Sequence, residues 1–268
     1  MKREIKEIKK GIVRITTVDE RWYVRQKKNE ETGLPEDKFV PSVTWICSYY
    51  PKGVAFWKWL ASHGWDEAEA IKQAAGDKGS KVHYASEDIL LGKEVKMTDK
   101  YLNPTSGEPE ELTKEEYECL MSLVGWLEPL EIEVIAIEKT EFNDEHGYAG
   151  TVDLMCRIDN QLWIVDLKTS ANIWPSHKLQ ISAYSHLDID YKELGITKDE
   201  WTKKKLGILQ LGYRRNRRGY KLSEIKDEFD LFLAAKKIWW SECKNVRPLQ
   251  RDYPVSLCVK KLKQKEGR

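Results

Sequence analysis

Residues 147 to 170, GYAGTVDLMCRIDNQLWIVDLKTS, leave this chain few choices of fold. Two apolar runs flank Asp159-Asn160, and both residue types tolerate the positive φ that a tight hairpin turn demands. A two-residue turn there sets Ile158 against Gln161. Counting outward from that pair puts Asp153 opposite Asp166 and Thr151 opposite Lys168. Side chains alternate along a strand, so Asp166 and Lys168 share a face, and Asp153 lies on that same face across the ladder. Opposed residues hold their Cβ atoms about 5 Å apart, where two like charges destabilise a sheet. A divalent cation between the two carboxylates removes the conflict. The other face carries Val152, Leu154, Cys156 and Ile158 against Leu167, Val165 and Trp163, and reads as core. A solvated hairpin with one charged side is the plainer reading. Against it, Met155, Ile164 and Leu162 share the polar face, and Gly150 permits a close approach beside Asp153.

Composition narrows the class. The 268 residues are 41% hydrophobic and 33% charged, enough for a sizeable core in one large domain. The formal net charge is +1, so contact with a polyanion has to come from a local patch. No apolar run approaches the roughly 20 residues of a membrane span, and MKREIKEIKK lacks the apolar segment of a signal peptide. A cytoplasmic protein with no membrane partner is expected. Cys47, Cys119, Cys156, Cys243 and Cys258 form no C-x-x-C pair, and free thiols are expected rather than disulfides or a zinc site.

Along the chain, residues 12–27 alternate as a strand pair and ETGLPED reads as loop. Ser42 is a candidate N-cap, VAFWKWLASHG reads as a helix ending at Gly64, and a third helix spans about residues 66–91. KMTDKYLNPTSGEPEE reads as loop. Thr113 and Glu116 have capping-box spacing ahead of the next helix. The texture turns to β from Glu131, a helix spans about 175–187, a second hairpin folds around Asn216, and DEFDLFLAAKKIWWSECKN is an amphipathic helix. The divisions expected are a strand-rich extension over 1–40, a helical lobe over 41–129 carrying His83, a core over 130–250 and a charged tail over 251–268, all in one compact domain. The fold class is α/β (α+β), a central mixed sheet flanked by helices.

G-x-V-D at 150–153 followed by I-V-D-L-K-T-S at 164–170 resembles the active-site hairpin of the PD-(D/E)XK nuclease superfamily. His83 in GSKVHYASEDIL and Gln180-Ile-Ser-Ala-Tyr184 extend the resemblance to the RecB-like exonucleases, including phage-type and CRISPR-associated members, over about residues 40–245. Thr-Val precedes Asp153 where the superfamily name has Pro, and the second acid is Asp. The resemblance implies the restriction-endonuclease-like core and a metal-dependent DNA exonuclease of phage or bacterial recombination and repair. It implies Mg²⁺ or Mn²⁺ held by Asp153, Asp166, the Leu167 carbonyl and His83, with Lys168, Gln180 and Tyr184 as catalytic partners. Some of these relatives carry an iron–sulfur cluster on one upstream and three clustered downstream Cys. Here only Cys243 and Cys258 lie downstream, far apart, and no cluster is expected. DNA, as single strands or duplex ends, is the expected partner, together with a recombination protein. A restriction-type endonuclease and a non-cleaving DNA-binding module are the rivals. The first lacks a recognition domain here, and intact Asp153, Asp166 and Lys168 argue against the second.

Further residues join the list. Glu138 is a candidate metal ligand on the strand before the hairpin, with Glu133 competing. Glu87 shares a helix face with His83, and His177 lies one turn before Gln180. Arg214, Arg215, Arg217 and Arg218 crowd a hairpin tip, where phosphate contact relieves their repulsion. Trp174 is the candidate to stack on an unpaired base. Only a neutral imidazole ligates, so an ordinary His83 would contribute to metal binding above pH about 6.5.

Overall fold

The structure, a computed structural model, describes residues 4–246 except residues 10, 18–19, 29–32, 34 and 245. The expected tail over 251–268, with Cys258, lies outside the described residues. The chain opens with a four-stranded antiparallel sheet, β1 (Glu4–Lys9), β2 (Ile12–Thr16), β3 (Arg21–Lys28) and β4 (Pro35–Pro41). The sequence suggested two strands here. β4 absorbs the end of the expected loop because Phe39 and Val40 pair with Val24 and Tyr23.

Three helices follow. The α1 helix (Val43–Ser48) starts at Ser42, whose hydroxyl accepts from the Trp45 N–H. The α2 helix (Val54–His63) ends at Gly64 with φ 75°, and α3 (Trp65–Leu90) runs unbroken through Gly76 and Gly79. The stretch expected as loop contains a short hairpin, β5 (Lys100–Leu102) with β6 (Pro109–Glu111). Its turn is closed by Asn103 Oδ1, which accepts from the N–H groups of Thr105 and Ser106. The α4 helix (Lys114–Leu127) begins with the full Thr113/Glu116 capping box.

The second half is built on one sheet. Its strands are β7 (Ile132–Asn143), β8 (Tyr148–Ile158), β9 (Gln161–Lys168), β10 (Lys205–Leu211) and β11 (Tyr220–Ile225), in the order β11-β10-β9-β8-β7. β9 and β10 run parallel and the other pairs antiparallel. The crossover carries α5 (Pro175–Tyr184), three residues shorter than expected, and α6 (Lys198–Thr202), a single capped turn that the sequence reading passed over. The α7 helix (Phe229–Cys243) closes the described chain.

Both faces of the sheet are covered, so this is a mixed α/β protein. Met155, Leu162, Ile164 and Ile208 pack with α1, α5 and α7, and Ile15, Trp22 and Val24 of the N-terminal sheet join that layer. Leu154, Cys156, Val165, Leu167 and Leu209 pack with α3 and α4. Among the described residues no helix is long and apolar enough to cross a membrane.

Candidate active site

The hairpin turn forms at Asp159 and Asn160, at φ 50° and 63°, and Ile158 pairs with Gln161. The β8–β9 ladder runs from that pair to Leu154 and Val165, one step short of Asp153 and Asp166. There the Asp153 carboxylate takes the place of a strand partner: Oδ2 accepts from the Leu167 N–H at 2.7 Å. Like charges directly opposed across a ladder repel, and the sheet opens where they would have met.

The same residue turns the strand over. Val152 packs with the α1/α5 layer and Leu154 with the α3/α4 layer, although residues two apart on a regular strand share a face. The single core face expected for Val152 through Ile158 is therefore divided at Asp153. On the neighbouring strand Ile137 pairs with Leu154 and Lys139 with Val152, so Glu138 falls opposite Asp153. Glu138 has φ 48°, a conformation that non-glycine residues seldom adopt and that clusters at functional sites.

These irregularities gather a set of ligand-type atoms. One each from His83, Glu138 and Asp153 lie within 4.8 Å of one another. His83 Nδ1 is 3.7 Å from Asp153 Oδ2 and 3.8 Å from Glu138 Oε1, and its Nε2 donates to the Leu167 carbonyl at 3.0 Å. Four of the expected shell members thus meet, one of them Glu138. Its competitor Glu133 is elsewhere, bonded to Arg157, which also holds Glu200.

Asp166 stands outside that triad and faces the α1/α5 layer. It is fully buried, and Oδ2 lies 2.6 Å from Lys168 Nζ. Neither Asp166 oxygen has a well-directed hydrogen bond among the described residues. A buried carboxylate short of donors beside a cluster of oxygens and one imidazole is a set of groups that could hold a metal ion.

The electrostatics follow from burial and crowding. Burial raises the Asp153 carboxyl above the usual range, with His83 and Lys168 opposing it. Burial raises the Asp166 carboxyl too; Lys168 opposes this and the Asp153 charge adds to it. Burial works against the Lys168 ammonium, but Asp166 and Asp153 outweigh it and raise its pKa, so Lys168 serves as a fixed cation rather than a base. Burial likewise disfavours a charged His83, yet the Asp153 and Glu138 carboxylates hold its pKa at about 9. Without metal the two carboxylates thus favour the imidazolium form of His83 to higher pH than for an ordinary histidine. Glu87, one turn on, is raised by burial and then by the Glu138 charge.

The α5 helix closes the site from the other side. Gln180 Nε2 donates to the Tyr184 hydroxyl at 2.7 Å, and the Tyr184 ring lies against Gly150. Tyr184 is 4% exposed and belongs to the core cluster, so its ring has no free face for a ligand. Its place is beside the carboxylates, whose charges add to burial in raising its pKa. A Cβ on Gly150 would lie 2.5 Å from Tyr184 Cε1 and 3.1 Å from Val43 Cγ2. Gly150→Ala is expected to displace the ring and cost about 1–3 kcal/mol of stability. Urea unfolding measures it, and an unchanged midpoint would mean the ring yields freely.

His177 and Trp174 sit at the start of α5. His177 is held down to about pH 4, by burial first and by the Lys168 charge second, while Trp174 is 52% exposed. Of the four tip arginines, Arg214 pairs with Glu115 and Arg215 donates to Asn172 Oδ1 in the loop that leaves β9. Arg217 and Arg218 are exposed. The bonds of Thr151 and the part played by Tyr23 escaped the sequence reading. Thr151, expected to face Lys168, instead bonds Thr140 at 2.7 Å and the Tyr23 hydroxyl at 2.8 Å, which ties β3 to the strand of Asp153. Nothing around Tyr23 in sequence signals that role. Cys47, Cys119, Cys156 and Cys243 are buried free thiols.

No protein-family model matches the chain, and no curated protein matches it.

Proposed function

We propose that this protein is a divalent-metal-dependent deoxyribonuclease with the PD-(D/E)XK core, acting as a RecB-like exonuclease. The observation that carries the reading is the meeting of His83, Glu138 and Asp153 where the sheet opens beside the buried Asp166–Lys168 pair. His83, Glu138, Asp153, Asp166 and the Leu167 carbonyl are the groups that would hold Mg²⁺ or Mn²⁺. The bound ion would supply an acidified water and charge neutralisation at the phosphate. Lys168, fixed as a cation, offsets the negative charge that grows on the phosphate oxygens. Gln180 and the buried Tyr184 hold the wall behind Asp153. Trp174, His177 and the arginine tip line the route by which a strand would approach, since Arg215 is bonded to the loop next to Trp174. Work on DNA ends in cytoplasmic recombination or repair, beside a recombination protein, is the role this activity suits.

The test uses end-labelled single-stranded and duplex DNA and a covalently closed circle, with and without Mg²⁺. Metal-dependent loss of the linear forms with the circle intact is expected. A circle nicked at the linear rate makes the protein an endonuclease, and absence of any cleavage overturns the reading.

The imidazolium state of His83 adds a second measurement. A metal that takes an imidazole nitrogen must displace its proton, so Mn²⁺ binding at pH 7.5 is expected to release about one proton. Calorimetry in two buffers of different ionisation enthalpy reads this directly. The imidazole also favours Mn²⁺ over Mg²⁺, a preference expected to vanish in His83→Ala. Equal proton release by wild type and variant would remove His83 from the metal shell.

A further inference from the structure

The α2 helix buries none of its residues. Val54 is 70% exposed, Phe56 36% and Trp57 56%, an unusual display of large apolar side chains on one short helix. The rings form a chain: Phe56 lies 5.3 Å from Trp57 and 5.8 Å from Trp59, and Trp59 lies 5.3 Å from His63. Packing among the described residues does not account for this surface.

Two observations say what it suits. The first is charge. From Lys38 to Trp65 the sequence has no Asp or Glu, in a chain with 44 of them, while Lys52 and Lys58 flank the rings. Acids resume at Asp66 and Glu67 in the first turn of α3, so the acid-free stretch takes in all of α2 and ends at the exposed Trp65. A face of this kind suits a partner that is both polyanionic and flat-ringed. A second copy of the chain would bring Lys52 and Lys58 towards their own counterparts, which like-charge repulsion disfavours.

The second is position. The α1 helix packs against α5 and β8, and its Cys47 is buried beside Asp166 and Lys168. Lys52 lies in the chain between α1 and α2, with Nζ 5.9 Å from the centre of the Phe56 ring. The chain thus passes through Lys52 on its way from α1, which packs against the α5 and β8 elements of the candidate active site, to the aromatic helix.

We propose that Lys52 and α2 form a platform for an unpaired stretch of the substrate DNA. A backbone phosphate sits on Lys52, and the bases beyond it stack on Phe56 and Trp57. A duplex hides its base faces, so the platform selects single strands. This rests on the nuclease reading, and its test is separable from cleavage.

The probe is a fluorescein-labelled oligothymidylate of about 16 nucleotides, compared with a duplex of equal length, by anisotropy in EDTA. Phe56→Ala/Trp57→Ala is expected to weaken oligothymidylate binding about tenfold or more and leave duplex binding within about twofold. Trp57→Phe keeps most of the affinity. Lys52→Gln weakens single-strand binding and lowers the slope of log affinity against log salt by about 1. The substituted side chains are exposed, and circular dichroism checks the fold. Wild-type affinity for oligothymidylate in the double variant overturns the proposal, as does an equal loss for both substrates. A wild-type dimer that falls apart in the double variant, seen by sedimentation, makes the face an interface between copies and also overturns it. Wild-type protein that binds neither probe sinks the platform together with the nuclease reading.

Discussion

Asp166→Asn is expected to lower metal-dependent DNA cleavage on the order of a thousandfold or more and to raise stability in metal-free buffer at neutral pH. The first effect follows from removing a charge aimed at the reacting centre, where single groups are worth factors of this size. The second follows from burial, and from Asp153, which remains as a counter-charge to Lys168 when Asp166 is neutralised. The folded protein raises the Asp166 carboxyl above its unfolded value, so the native state holds that proton more tightly. Stability from this group is therefore fully present below the unfolded pKa of about 3.9 and is lost as pH rises through the folded value. Asparagine keeps the shape without the charge, so its advantage over wild type appears above about pH 4 and closes below it. Urea titrations at pH 3.5 and pH 7.5 with EDTA read the stability, and a labelled oligonucleotide with Mn²⁺ reads the activity. Cleavage at the wild-type rate would remove Asp166 from the site, and lower stability at neutral pH would mean that the Lys168 pair stabilises the fold more than burial of the carboxylate costs.

Lys81→Met is expected to give the largest loss of stability. Lys81 lies on α3, two residues before His83, and its Nζ is 2.8 Å from Glu116 Oε2 at the start of α4. The two side chains are 4% and 5% exposed, and Nζ also donates to the Glu111 carbonyl at 3.2 Å. Removing one partner of a buried pair leaves the other charge uncompensated, at about 3–5 kcal/mol. Glu116 cannot turn to solvent freely, because Oε2 accepts from the Thr113 N–H in the capping box. Adding Glu116→Gln should therefore recover much of the loss, since glutamine keeps that acceptor and drops the charge. Denaturant midpoints of the two variants decide it. A double variant no more stable than Lys81→Met would mean that the lysine acts through packing alone.

The hairpin was legible because its signals are local. Asp159-Asn160 specify the turn, alternation specifies the register from Ile158, and the acids follow by counting. Capping was legible at Ser42 and Thr113 for the same reason, since each cap is chemistry within three residues. What counting could not reach is the break in alternation at Asp153. A strand turned over by a side chain that bonds the next strand's backbone has no signature in residue order. Counting therefore sets Asp153 against Asp166 alone, whereas the structure also brings Glu138 and His83 to Asp153 and sets Lys168 against Asp166. The pairing of Lys81 with Glu116 and of Tyr23 with Thr151 was equally silent, because those partners are brought together only by helix and sheet packing.

The position of β9 within the sheet has a bearing on the order in which the candidate site is assembled during synthesis. β9 carries Asp166 and Lys168 and is hydrogen-bonded to β8 on one side and β10 on the other. The β8 side can zip as soon as the hairpin leaves the ribosome. The parallel β10 side cannot, since a parallel pair needs a crossover, here the segment with α5 and α6. Asp166 and Lys168 therefore become fixed only after Leu211 has been made, long after His83 and Glu138. A nascent or prematurely ended chain can therefore carry His83, Glu138 and Asp153 without the β10 pairing that fixes Asp166 and Lys168 beside them.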